Sequence, residues 1–143
     1  MDNDFLILLT EDDEAAANLI QMNLKRAGVK NIKWAKNGRE ALDFLQGEGK
    51  EKIHRILMLL DINMPVLNGM ETLKIIKNDE ILKVLPVVML TTTDNPAEVK
   101  ACYDLGCNFY IKKPVDYKVF MNTVREIASF ASVCILPEVP TND

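Results

Sequence analysis

The sequence of 143 residues contains one histidine, His54, and three cysteines, Cys102, Cys107 and Cys134, with no C-x-x-C spacing. So sparse a set argues against a metal held by soft ligands and against Cys/His nucleophilic catalysis. The cysteines read instead as reduced, buried small hydrophobes. Neither a G-x-G-x-x-G run nor a P-loop is present, which removes the usual glycine cradles for dinucleotides and nucleoside triphosphates. Basic residues are not in surplus: 17 Lys and Arg against 21 Asp and Glu leave a net charge of −4, so no positive field gathers nucleic acid. No apolar run approaches membrane-spanning length, and Met1-Asp2-Asn3-Asp4 lacks the basic start of a signal peptide. These absences lead us to expect a cytoplasmic protein with no membrane partner. Internal repeats and low-complexity segments are also missing.

What is present is ordinary for a globular chain, with 48% hydrophobic and 27% charged residues, in a length that suits one domain. The acids are unevenly spread, six of them falling in residues 1–14 (Asp2, Asp4, Glu11, Asp12, Asp13, Glu14) with no Lys or Arg. Three short apolar runs, Phe5–Leu9, Ile56–Leu60 and Val87–Leu90, read as buried parallel strands. Asn31–Lys36 and Asn108–Lys112 are weaker strand candidates. Helical spacing fills the intervals. Ala16, Leu19, Ile20, Leu24 and Ala27 mark a first helix ending at Gly28. Ala41, Phe44 and Leu45 mark a second, and Leu73 and Ile76, after Gly69, a third.

Asn95-Pro96-Ala97-Glu98 opens a fourth helix with an N-cap, a proline at the first turn and a capping glutamate; Val99, Cys102 and Tyr103 form its apolar face. A fifth helix from Asp116 would bury Phe120, Val124, Ile127 and Ala131. Gln46–Arg55 is the longest polar connection, with His54 expected to be a solvated polar residue. The βα unit thus occurs five times, which implies an α/β, doubly wound fold: a five-stranded parallel sheet with helices on both faces. Residues 1–132 form this domain and residues 133–143, with Pro137 and Pro140, a C-terminal tail.

In open α/β sheets ligands gather at the carboxyl ends of strands. The ends here carry Thr10-Glu11-Asp12-Asp13, Asp61, Thr91 and Lys113-Pro114. Carboxylates brought close together repel unless a cation or protons intervene. Oxygen donors without His or Cys favour a hard ion, for which Mg²⁺ is the expected choice and Mn²⁺ an alternative. A lysine and a hydroxyl beside them suit a phosphoryl oxygen. The reading is a phosphoryl-transfer site with a carboxylate nucleophile.

Four segments carry a resemblance at this point: Ile7-Leu8-Leu9-Thr10-Glu11-Asp12, Leu59-Leu60-Asp61-Ile62-Asn63-Met64-Pro65 with Gly69, Val88-Met89-Leu90-Thr91, and Tyr110-Ile111-Lys112-Lys113-Pro114. In this order they resemble the signatures of response-regulator receiver domains, the CheY-like superfamily of two-component signalling, over about residues 4–132. The resemblance implies a flavodoxin-like receiver fold. It also implies that Asp61 accepts a phosphoryl group from a histidine kinase phosphohistidine. Glu11, Asp12, Asp61 and the carbonyl of Asn63 would form the metal site, directly or through water, and Thr91 and Lys113 would contact the phosphoryl oxygens. Tyr110 matches the aromatic that moves with Thr91, while Asn63 and Thr93 occupy positions that tune dephosphorylation. In such domains the bond before Pro114 is usually cis.

The expected output surface is the fourth helix, fifth strand and fifth helix, open to a homodimer, another protein or onward phosphorelay. Val119, Phe130 and Val133 lie off the fifth helix's inward stripe, fitting either that contact or burial under the tail. The long Gln46–Arg55 segment, the Thr92-Thr93-Asp94-Asn95-Pro96 stretch and the tail are similar to single-domain receivers paired with bacterial phytochromes or other sensor kinases. A haloacid-dehalogenase-type phosphatase would need an acid where Asn63 stands and its nucleophile on the first strand. A flavodoxin-like flavin carrier would need a phosphate loop where Glu11–Glu14 would repel phosphate. A pseudo-receiver would lack one of the key residues. The chain therefore reads as a phosphorylated switch with slow autodephosphorylation at most, and not as a turnover enzyme.

Overall fold

The computed structural model describes residues 6–92 and 95–112, together with Lys118, Asn122, Arg125 and Glu126. Five parallel strands, β1 (Leu6–Thr10), β2 (Asn31–Ala35), β3 (Ile56–Asp61), β4 (Val87–Thr91) and β5 (Phe109–Lys112), lie in the order β2-β1-β3-β4-β5. Four α-helices fall between them: α1 (Glu14–Arg26), α2 (Gly38–Gln46), α3 (Gly69–Lys77) and α4 (Pro96–Asp104). β3 is buried at all six positions, as a strand covered on both faces must be. Alternate residues divide the core. Ile7, Leu9, Leu57, Leu59, Val88 and Leu90 pack with Ala17, Ile20 and Leu24 of α1. Leu8, Met58, Leu60 and Met89 pack with residues of α2, α3 and α4 on the opposite face. Helices on both sides of a parallel sheet are thus the observed architecture, as expected.

Helix phase needs three corrections. Leu19 is exposed on α1 and the buried stripe runs Ala17, Ile20, Leu24. On α2, Leu42 is buried with Ala41 and Leu45 while Phe44 is only partly so. On α4, Tyr103 is exposed and Cys102 alone is buried. The Tyr103 hydroxyl accepts the Tyr110 backbone N–H at 3.2 Å, satisfying a donor on a strand that ends the sheet. The polar segment Gln46–Arg55 is ordered too: Lys50–Arg55 forms a 3₁₀ helix that buries Ile53 and leaves His54 partly exposed. Lys118, Asn122, Arg125 and Glu126 are helical and exposed. The expected inward stripe of the fifth helix, its off-stripe residues Val119, Phe130 and Val133, and Cys134 lie outside the described residues.

Candidate functional site

The strand order reverses between β1 and β3. The chain steps from β1 outward to β2, then crosses back to β3 on the other side of β1. The connections leaving their carboxyl ends therefore diverge to opposite faces of the sheet and open a crevice, the place where this topology binds ligands. β1 delivers Glu11 and Asp12 to it, and Asp61 is the last residue of β3. One carboxylate oxygen from each lies within 4.8 Å of the others. Asp61 is 6% exposed and Glu11 1%, whereas Asp12 opens to solvent. Asn63 stands exposed, two residues beyond Asp61.

Each acid is fixed by local structure. Glu11 ends the β1–β2 ladder with its N–H on the Ala35 carbonyl at 3.0 Å. Its own carbonyl accepts the Trp34 indole N–H at 2.8 Å, and its carboxylate accepts the Asp13 N–H at 3.4 Å. Asp13 is the N-cap of α1, accepting from the N–H groups of Ala15 and Ala16, so it serves the helix and not the crevice. Behind Asp61 the chain turns sharply. Ile62 donates to the Leu90 carbonyl at 3.2 Å, and Gly69 donates to the Ile62 carbonyl at 2.8 Å. A Cβ at Gly69 would fall on the Asp61 carbonyl oxygen and 2.7 Å from Ile62 Cα, so only glycine lets α3 begin this close to β3. Asn68 and Glu71 close the helix start with a reciprocal capping box. Between Asp61 and this helix start, Val66 has φ 70°, with Leu67 N–H on the Pro65 carbonyl at 2.8 Å, a tight γ-turn that few branched residues adopt.

Thr91 ends β4 fully buried, in register with Lys112. Its hydroxyl hydrogen-bonds that of Tyr110, which in turn donates to Glu98 Oε1 of α4 at 3.3 Å. Burial pushes the Tyr110 phenol up to about 12, against a smaller opposing pull from Thr91, so it is a neutral donor at ordinary pH. The crevice thus unites Glu11, Asp12 and Asp61, while Thr91 at the end of β4 and Tyr110 of β5 form a linked pair beside it. Lys113, Pro114 and Thr93 lie outside the described residues. Two participants escaped the sequence reading as site residues: Trp34, whose signal would have been a lone aromatic at the end of β2, and Glu98, which was read only as a capping residue.

Residues 7–125 match the response regulator receiver domain family. The chain belongs to that family. It is 38% identical over 128 residues, 87% of each chain, to Response regulator Rcp1 of Synechocystis. A receiver domain from Rhodospirillum rubrum superposes with a TM-score of 0.80 at 42% identity, over 95% of this chain and 99% of that one. The phosphorylated cyanobacterial phytochrome response regulator RcpA gives a TM-score of 0.80 at 35% identity, over 94% and 99% of the two chains. Receiver domains are switches of two-component signalling that work with sensor histidine kinases. The acidic cluster is a donor set for a divalent cation, made only of oxygen and partly buried. Among the described residues no helix is long and apolar enough to cross a membrane.

Proposed function

We propose that Asp61 is the phosphoacceptor of a cytoplasmic response regulator, with residues 1–132 as the receiver domain and 133–143 as a tail. The convergence of three carboxylates at the β1/β3 reversal carries this reading, because such a cluster is costly unless a cation completes it. Glu11, Asp12, Asp61 and the carbonyl of Asn63 would hold Mg²⁺; Rcp1 has been solved in a Mn(2+)-bound form, and the same donors suit that ion. When bound, the cation offsets the charge of the carboxylates and of the incoming phosphoryl oxygens. Asp61 then contributes an oxygen that attacks the phosphorus. A P–O bond to the carboxylate forms as the P–N bond to the kinase histidine breaks, and the imidazole leaves with the electron pair and takes up a proton. Lys113 and Thr91 are the donors assigned to the phosphoryl oxygens.

Signal output follows from the arithmetic of donors. The Thr91 hydroxyl carries a single proton, and in this structure that hydroxyl is bonded to Tyr110. Given to a phosphoryl oxygen, it is lost to Tyr110, whose hydroxyl also bonds Glu98 on α4. Phosphorylation is thereby conveyed to α4 and β5, where Tyr103 and Phe109 are exposed and a homodimer, a target protein or a phosphorelay partner would dock. Asn63 and Thr93 would set the rate of phosphoryl loss, making the chain a slow switch without turnover. The solved phytochrome response regulator RcpA makes a phytochrome a reasonable class of upstream kinase. Incubation with acetyl phosphate and Mg²⁺ tests the reading: one phosphoryl mass gain is expected in the wild type and none in Asp61→Asn. A gain that survives Asp61→Asn contradicts it.

A further inference from the structure

The Trp34 indole reaches across the sheet edge to the turn that bears two of the three acids. Trp34 lies opposite Leu9 in the β1–β2 register and packs, partly buried, against the Ile7/Leu9 cluster. The Lys36 ammonium stands 5.7 Å from its ring centroid. The last rung of the β1–β2 ladder is the Glu11 N–H on Ala35. One peptide further on the ladder has ended, and the Glu11 carbonyl takes its hydrogen bond from a side chain, the indole N–H at 2.8 Å.

That peptide is planar, so holding the Glu11 oxygen also holds the Asp12 nitrogen and the direction in which the Asp12 Cα leaves. Asp12 is exposed, so packing does not aim it; the backbone must. On its far side the turn is anchored by Asp13, which caps α1. Asp12 is thus suspended between two fixed points, the indole bond at the end of the strand and the Asp13 cap at the start of the helix. We propose that Trp34 is a positioning residue that sets divalent-cation affinity through the Glu11–Asp12 peptide, a role that rests on the metal reading above. Outer hydrogen-bond partners of metal ligands commonly change affinity by about 10- to 100-fold, and a single backbone bond belongs at the lower end.

Mn²⁺ binding followed by electron paramagnetic resonance, on the intact chain, decides the matter. Two replacements are informative: Trp34→Phe, and the benzothiophene analogue of tryptophan at this position, which keeps ring size and removes only the N–H. Each is expected to bind Mn²⁺ roughly tenfold more weakly than wild type. Thermal melting of the apo-protein with the benzothiophene analogue should stay close to wild type. A structural role alone would move melting and leave the affinity of the folded protein unchanged, so equal affinity for the analogue and the wild type overturns the proposal. Failure of the wild type itself to bind Mn²⁺ has a different signature: it overturns the metal reading, and this inference with it.

Discussion

Thr10 is fully buried at the end of β1, and its hydroxyl oxygen has no hydrogen-bond partner among the described residues. A buried hydroxyl left unpaired carries a desolvation cost of about 1–3 kcal/mol. Valine keeps the branched shape and discards the polar atom. Thr10→Val is therefore expected to raise stability by about 1 kcal/mol, read as a higher urea midpoint at unchanged slope; a fall would mean that the hydroxyl has an ordered partner. The residues of the acidic cluster were legible without coordinates, because acids that directly follow apolar strands have few structural reasons to be there. Trp34 was not. Its partner is a backbone carbonyl 23 residues away, and no local pattern encodes a bond that only strand register creates.

At the level of elements, the β3–α3 connection is the least forgiving part of the site. Gly69 touches the strand that ends in Asp61, and a methyl group there meets the Asp61–Ile62 backbone. Gly69→Ala should cost about 1–3 kcal/mol, as overpacking does. Urea unfolding measures it, and a neutral result would show that α3 can move away from β3 freely. Strand positions were read from sequence to within a residue or two, since continuous apolar runs bounded by polar residues have one sensible reading. Helix phase was read less well. On α1, Leu19 and Ile20 both fit an amphipathic stripe, and only packing against Ile7, Leu9 and Leu57 of the sheet decides that Ala17 and Ile20 turn inward. Tyr103 was misplaced for a related reason: it serves the free edge of β5 with its hydroxyl, a tertiary demand with no periodic signature.

Across the whole molecule, two opposed requirements meet. The core must be rigid enough to hold three acids together, and the α4–β5 side must respond when Thr91 changes partner. The thiols report on the rigid part. Burial pushes Cys102 and Cys107 up from 9.0 to about 11, so the unfolded chain releases these protons at lower pH than the folded one. Their contribution to stability is complete below pH 9.0 and is lost as pH rises through about 11. Denaturation measured across that window should show stability declining, and less steeply in Cys102→Ala; a flat profile would contradict their burial.

The central claim concerns one carboxylate, and an acyl phosphate can be located chemically. Borohydride reduces an aspartyl phosphate to homoserine, which mass spectrometry assigns to a position in the chain. After treatment with acetyl phosphate and Mg²⁺, homoserine is expected at position 61 and nowhere else. Homoserine at position 12, or its absence from a protein that binds the metal, would contradict the account.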